Sequence, residues 1–338
     1  MTPLSRGTRP GPARRTRQSL RRRTLLTALA PVLAPVLALV AACGGASSGG
    51  ASTTSSVAAT SEAAVTYPLT VHGANGAVTL KAQPKRIVSL SPTATEMLYA
   101  IGAGPQVIAV DSLSDYPAQA PRTKLSAFQP NAEAVIGYTP DLVVLSNDAN
   151  GLLAALGKLG VPALLLPAAK DLPDSYNEEK TLGAATGHPD GAVKVIQETS
   201  ARVQAAFGSV PVSAKGLKVY HEVDQTYYSV TSSTFLGSIY TQFGLKNIAD
   251  GAKSAATSGG YPQLSAEYVV TSAPDLIVLA DSKCCGQSPL AVSKRPAFAA
   301  VPAVTNSRVI AIDDDIASRW GPRTADFAEL VAKALGGK

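Results

Sequence analysis

The sequence predicts an α/β protein of two similar, Rossmann-like lobes with mostly parallel sheets, joined by a long α-helix and parted by a ligand cleft. Three observations carry this expectation. The first is a segment that occurs twice: residues 131–146 read NAEAVIGYTPDLVVLS and 265–280 read SAEYVVTSAPDLIVLA, identical at eight of sixteen positions without a gap. Each copy sets a glutamate, Glu133 or Glu267, seven residues ahead of Pro-Asp-Leu and a run of branched apolar residues. Self-similarity of this kind marks a repeated structural unit, and two units imply a groove between them. Second, short apolar runs alternate with helical patterns on both sides of residue 189, the signature of a parallel sheet covered on both faces. Third, residues 189–207 carry Val193, Ile196, Val203 and Phe207 with no strand signal, and Pro189 suits a first helical turn.

Taken in order, residues 1–42 stand outside this fold. They hold eight arginines and no acid, then an apolar stretch at 24–42, and end in Val40-Ala41-Ala42 before Cys43. A basic start, an apolar core and small residues before a cleavage point describe an export signal. The cysteine at that point resembles a bacterial lipobox, in which Cys43 would carry a diacylglycerol. An uncleaved membrane anchor is the alternative, since about 20 apolar residues can span a bilayer. Arg22-Arg23-Thr24-Leu25-Leu26 also resembles a twin-arginine signal. The formal charge of +6 belongs to this leader: without its eight arginines, 22 basic residues face 24 acidic ones. The remaining chain is therefore near neutral, which gives no basis for nucleic-acid binding. Residues 43–66 are rich in Gly, Ser, Thr and Ala, too poor in apolar surface to fold, and read as a flexible tether.

The N-terminal lobe is expected over 67–188. Residues 67–80 read as a hairpin turning at Asn75-Gly76. Strands follow at 86–90, 106–110, 142–146 and 162–166, with helices at 93–101, 132–138 and 152–159 between them. A connecting helix at 189–208 leads to the C-terminal lobe, 209–338. There, strands are expected at 217–223, 276–280 and 309–312, and helices at 235–243 and 324–335. A helical connector resists bending, so the lobes are expected to move little. Ligands of open parallel sheets bind beyond the carboxyl ends of the strands. Those ends here are 89–92, 111–116, 147–150, 222–228, 281–287 and 313–320, which hold several of the few aromatic residues.

The segment 86–96, RIVSLSPTATE, followed by Ser114-Asp115-Tyr116-Pro117, resembles the Fe/B12 periplasmic-binding family, and the resemblance runs from about residue 84 to the end. Its parts occur in the family's order: the opening strand, Asp-Tyr-Pro, the Glu and Pro-Asp-Leu segment twice, and Arg319-Trp320-Gly321-Pro322-Arg323 before the last helix. The resemblance implies a substrate-binding protein of an ABC importer for cobalamin, ferric siderophores or haem, with no cofactor of its own and a metal chelate as ligand. It implies that Glu133 and Glu267 dock on the two subunits of a permease dimer. The Ser-Pro and Asp-Tyr-Pro segments are most similar to vitamin B12-binding members, in which aromatic residues of both lobes pack the corrin ring. On that pattern Tyr116 matches a family tyrosine. Phe128 stands near a family tryptophan, one residue closer to the glutamate, and Tyr261 of Tyr-Pro-Gln replaces another. Both replacements reduce stacking area. The hairpin at 67–80 is more typical of siderophore-binding relatives.

Other residues at the strand ends complete the candidate set. Tyr227, Tyr228 and Trp320 are placed to line the cleft, although a lone tryptophan is as often packed as functional. Arg319 is expected to meet ligand carboxylates or phosphate, or else the run Asp313-Asp314-Asp315. Glu133 and Glu267 each follow a capping residue, Asn131 or Ser265, and an acid there also offsets the helix dipole by ~0.3–1 kcal/mol. Cys284 and Cys285 are the cysteines left after lipidation, and in an oxidising compartment they form a vicinal disulfide, stay reduced, or bridge two molecules. His221 and Glu222 are adjacent on a strand and point to opposite faces, so no metal site is expected.

An extracytoplasmic, lipid-anchored and monomeric receptor for a corrinoid is thus the leading expectation, with a ferric siderophore or haem next. A secreted sensor or enzyme is the alternative of another class. The sequence has no G-x-S-x-G elbow at a strand–helix turn, no H-E-x-x-H and no phosphate-binding P-loop.

Overall fold

The computed structural model describes residues 65–337. The leader, Cys43 and nearly all of the expected tether lie outside the described residues. The described chain opens with an antiparallel hairpin, β1 (Leu69–Gly73) and β2 (Gly76–Leu80). Gly73 pairs with Gly76, so the tip is Ala74-Asn75, one residue earlier than the sequence suggests. Gly76, at φ 93°, starts the second strand in a conformation that favours glycine.

Next come β3 (Ile87–Leu90), α1 (Pro92–Ala100), β4 (Val107–Val110) and α2 (Ala132–Ile136). They are followed by β5 (Leu142–Leu145), α3 (Leu152–Lys158) and β6 (Ala163–Leu165). The four strands form a parallel sheet in the order β4-β3-β5-β6. The hairpin covers its β6 edge. Asn75 Nδ2 donates to the Ala163 carbonyl at 2.9 Å, Asn75 Oδ1 accepts from the Leu165 amide at 3.0 Å, and the Ala74 amide donates to the Leu165 carbonyl at 2.8 Å. A side-chain amide thus occupies backbone positions that an edge strand would otherwise present.

Two long helices, α4 (Leu172–Thr186) and α5 (Pro189–Ser209), lead to the second sheet. It contains β7 (Lys218–Glu222), α6 (Phe235–Gln242), β8 (Lys246–Asn247), α7 (Ala266–Ser272) and β9 (Leu276–Leu279). Short helices α8 (Ser282–Cys285), α9 (Pro289–Ser293) and α10 (Pro302–Thr305) precede β10 (Val309–Ala311) and the closing α11 (Thr324–Ala334). The strand order is β10-β9-β7-β8, again parallel. In chain order both sheets run second, first, third, fourth.

Side chains of the central strands alternate between two buried faces. Ile87, Leu142 and Val144 join one apolar cluster, whereas Val88, Leu90, Val143 and Leu145 join another. Val219, Leu276 and Val278 repeat the first role in the second lobe, and Tyr220, Ile277 and Leu279 the second. Burial on both faces explains why these strands read as continuous apolar runs.

The duplicated segment does the same work in each lobe. Asp141 accepts from the amides of Lys85 and Arg86 at 2.7 and 2.9 Å, and Asp275 accepts from the amide of Lys218 at 2.8 Å. Their own amides donate to the carbonyls of Arg86 and Lys218. Each aspartate therefore clamps the start of the lobe's central strand, and the apolar run behind it pairs directly with that strand. Val135 and Val269 of the preceding helices are buried at matching positions.

Helix α5 spans from one lobe to the other, with α4 and α11 packed on it. Arg202 of α5 pairs with Asp326 and Glu329 of α11 at 2.6 and 2.8 Å. Among the described residues no helix is long and apolar enough to cross a membrane.

Candidate functional site

The carboxyl ends of both sheets meet at a polar joint that sequence reasoning missed. Glu96 of α1 is almost wholly buried. It accepts from Arg319 Nη1 at 2.6 Å and from Arg323 Nε and Nη2 at 2.9 and 2.6 Å. Arg319 Nη2 also donates to the Leu113 carbonyl at 2.9 Å and to Asp315 at 2.5 Å, and it lies 3.4 Å from Asp115. Arg319 is expected to face a ligand anion or the aspartate run. The structure shows the second of these, through Asp315, and buries Arg319 at 7 % exposure with its guanidinium shared with Glu96 and the Leu113 carbonyl as well, so it braces the site rather than facing a ligand. Arg323 lies over the ring of Tyr116, 4.3 Å from its centroid, and that tyrosine opens into a cavity of about 350 Å³ between α1, α5 and α11.

A second cavity, about 260 Å³, sits at the carboxyl edge of the C-terminal sheet. His221, Phe235, Tyr261, Ala280, Cys284 and Trp320 form its walls, with Ala168 and Ala169 closing it from the chain that follows β6. His221 is buried, its Nδ1 lies 2.8 Å from the Tyr240 hydroxyl, and its Nε2 has no partner. Burial pushes its pKa down to about 3, so it is a neutral imidazole at ordinary pH. Trp320 packs against the apolar cores of both lobes. Its Nε1 donates to Glu178 of α4 at 2.8 Å, and its carbonyl accepts from Ser175. Burial raises Glu178 to about 7 despite the Trp320 hydrogen bond, and raises neighbouring Glu179 to about 8.

The expected aromatic residues divide into two groups. Tyr116 and Phe128 of the first lobe, and Tyr228 and Tyr261 of the second, are exposed. Phe128 is the most open, at 71 %. Tyr228 bridges to Gln263 and the Ser229 amide donates to the Pro262 carbonyl at 3.0 Å, which fixes Tyr228 beside the Tyr261 segment. Tyr261 and Trp320 share the 260 Å³ cavity, and Tyr116 lies in the other. Tyr227 turns inward. Its ring stacks 6.3 Å from Phe298, and Arg295 lies 5.6 Å from its centroid, so it is a packing residue of the second lobe.

Arg295 itself forms a bidentate pair with buried Glu222, at 2.6 and 2.5 Å, and the Tyr220 hydroxyl lies 3.2 Å from the same carboxylate. Beside it Asp281 is fully buried with both oxygens unpartnered. Burial first, then the charge of Glu222, raises Asp281 to about 7. No spacing in the sequence signals this cluster, because its members come from distant strand ends and loops. Among the described residues no group of His, Cys, Asp and Glu is arranged to hold a metal ion.

Glu133 and Glu267 occupy equivalent positions in the first turns of α2 and α7. The helices are capped by Asn131 Oδ1 on the Ala134 amide at 2.9 Å and by Ser265 Oγ on the Tyr268 amide at 3.1 Å. Both glutamates are exposed, and neither carboxylate has a hydrogen bond or ion pair among the described residues. Cys284 and Cys285 are joined by a disulfide within α8.

Comparison with known proteins gives the family and the fold. A family model described as periplasmic binding protein matches residues 87–316. The chain is 29 % identical over 279 residues to the uncharacterized ABC transporter substrate-binding lipoprotein YvrC of Bacillus subtilis, covering 80 % of this chain and 86 % of the relative. It is 33 % identical over 228 residues to a cobalamin-binding protein of Halobacterium salinarum, covering 65 % of this chain and 60 % of the relative. The crystal structure of the periplasmic vitamin B12-binding protein BtuF of Vibrio cholerae superposes with a TM-score of 0.63 at 26 % identity, over 75 % of this chain and 97 % of that one.

Proposed function

This chain belongs to the periplasmic binding protein family, and we propose that it is the substrate-binding lipoprotein of an ABC importer that carries a corrinoid in the cleft between its lobes. The observation that carries this reading is the pair of aromatic sets, Tyr116 and Phe128 on one lobe and Tyr228 and Tyr261 on the other, all exposed. Flat apolar rings from two sides suit a broad, flat chelate better than a small charged solute. The cations near the cleft are engaged: Arg319 and Arg323 by Glu96, Arg295 by Glu222, and Lys283 by Asp115 and Asp315. A ligand rich in neutral amide groups fits such a lining better than a polyanion. The relatives named for cobalamin and vitamin B12 support the same ligand class.

On this reading Tyr116, Phe128, Tyr228, Tyr261 and Trp320 contact the ligand, and Glu133 and Glu267 meet a permease dimer, one per lobe. Cys43 carries the lipid that keeps the monomeric body at the outer face of the membrane. The lipobox-like leader and the lipoprotein relative support that anchor. A ferric siderophore is the second reading, favoured by the leading hairpin.

The chain holds a single tryptophan, Trp320, which lines the 260 Å³ cavity. The test is a titration of the full-length chain with cyanocobalamin, a panel of ferric siderophores and haem, read by Trp320 fluorescence. Saturable quenching by cyanocobalamin is expected. Saturation by a ferric siderophore or haem with none by cyanocobalamin would overturn the corrinoid assignment.

A further inference from the structure

We propose that the disulfide-closed turn at 282–286 is an interlobe latch, which holds Lys283 against Asp115 of the other lobe and lets go when the Cys284–Cys285 bond is opened. The inference rests on the reading of the cleft as the ligand site, but its deciding measurement needs no ligand.

The turn is fixed from below and behind. Asp314 Oδ1 accepts from the Lys283 amide at 2.8 Å and from Ser282 Oγ at 3.2 Å, and its Oδ2 accepts from the Cys284 amide at 2.7 Å. Ser282 Oγ also donates to the Ile312 carbonyl at 2.8 Å. On the far side, the Cys285 and Gln287 amides donate to the Asp281 carbonyl and the Gly286 amide to that of Ser282. The disulfide then ties the two residues that follow Lys283 to each other. A lysine carries four rotatable stem bonds, and an exposed ion pair contributes little unless its partners are already held in place. Here the backbone under the lysine is held.

The side chain reaches across the lobes. Lys283 Nζ donates to Asp115 Oδ2 at 2.8 Å and to Asp315 Oδ2 at 2.7 Å. Asp115 follows β4 in the first lobe, whereas Lys283 and Asp315 belong to the second. Arg319 and Glu96 cross the same boundary but are buried, so their separation would strand charge away from water. Lys283 is 53 % exposed and can exchange Asp115 for solvent at little cost. It is the outermost and most releasable link of that chain. Cys284, next to it, is also a wall of the cavity shared by Tyr261 and Trp320. Movement of one turn therefore changes the interlobe clasp and the cavity lining together.

Opening is a two-electron step. A dithiol such as dithiothreitol gives two electrons and two protons, the sulfur–sulfur bond breaks, Cys284 and Cys285 become thiols, and the dithiol closes to its own cyclic disulfide. The turn loses its covalent tie, and the backbone under Lys283 is then held by the Asp314 and Asp281 hydrogen bonds alone.

Hydrogen exchange measured by mass spectrometry on the full-length chain, without ligand, decides the proposal. Reduction is expected to speed exchange of peptide 111–116 by about fivefold, the change carried by loss of one half-exposed ion pair. Lys283→Met is expected to reach that level with the disulfide intact and to show no further response to dithiothreitol. The double variant Cys284→Ser, Cys285→Ser should sit at the open level with or without reductant. Equal exchange at 111–116 in oxidised and reduced protein, or an unchanged rate in Lys283→Met, would overturn the latch. Cyanocobalamin should leave the reduced protein about fivefold faster than the oxidised one. If cyanocobalamin binds neither form, the corrinoid reading falls while the exchange result still decides the latch.

Discussion

Glu96 of α1 and Arg319, ahead of α11, are joined across the two lobes, Nη1 to Oε1 at 2.6 Å, with 1 % and 7 % of their side chains exposed. Removing one charge from such a pair leaves the other buried without compensation. Glu96→Gln deprives both Arg319 and Arg323 of their shared carboxylate. A loss of about 3–5 kcal/mol in unfolding free energy is expected, read from denaturant midpoints at neutral pH. A variant within about 0.5 kcal/mol of the parent would mean that Asp315 and the Leu113 carbonyl suffice to hold Arg319.

Glu179 gives a pH dependence of the less usual sign. Its side chain is buried, one oxygen has no partner, and burial raises its pKa from 4.5 to about 8. The native chain therefore keeps a proton that the unfolded chain has already released over this interval. Its contribution is complete below pH 4.5 and falls away as pH rises towards 8. At pH 8 the deficit is on the order of a few kcal/mol. Glu179→Gln keeps the shape without ionising. It should be more stable than the parent at pH 8, little changed at pH 5, and flatter in between. Glu178 and Asp281, both raised to about 7, act in the same direction and remain in the variant, so its difference from the parent isolates Glu179. Asp115 does not interfere: burial raises it, but Lys283 and Arg319 outweigh that and bring it to about 2, so its contribution is lost only in stronger acid. Parallel stability curves for parent and variant would refute the assignment.

Glu133 and Glu267 are exposed and unpaired among the described residues, so replacing both by alanine should cost the fold only their first-turn dipole contributions, about 1–2 kcal/mol together in unfolding free energy. If they meet the permease, the double variant should abolish uptake in cells while cyanocobalamin affinity measured on the purified chain stays within about twofold. A fall in affinity would move them into the cleft, and normal uptake would remove them from docking.

The halves were legible because their repeat is local. Glu133 and Glu267, Pro140 and Pro274, Asp141 and Asp275 keep their spacing, and spacing is what a sequence displays. Strands buried on both faces were visible as apolar runs. Helix α4 was not anticipated, since its surface is largely polar and its apolar stripe weak; its cap, Asp171 on the Asp174 amide, and Pro173 in the first turn were the readable cues. Edge strand β8, two residues long, leaves no periodicity to find. The site was read less well than the fold. Arg319 and Tyr227 stand where a ligand contact is expected, yet their partners, Glu96 and Phe298, come from distant parts of the chain. Contacts at such separations are products of folding, and residue type alone does not rank them above a bound solute.

The hairpin has a consequence beyond its own lobe. By seating Asn75 against Ala163 and Leu165, it fills docking positions that a stranger's backbone would use to extend the sheet. Without residues 69–80, the outer margin of β6 would stand open to a strand from a second copy, so the hairpin also guards the chain against edge-to-edge self-association.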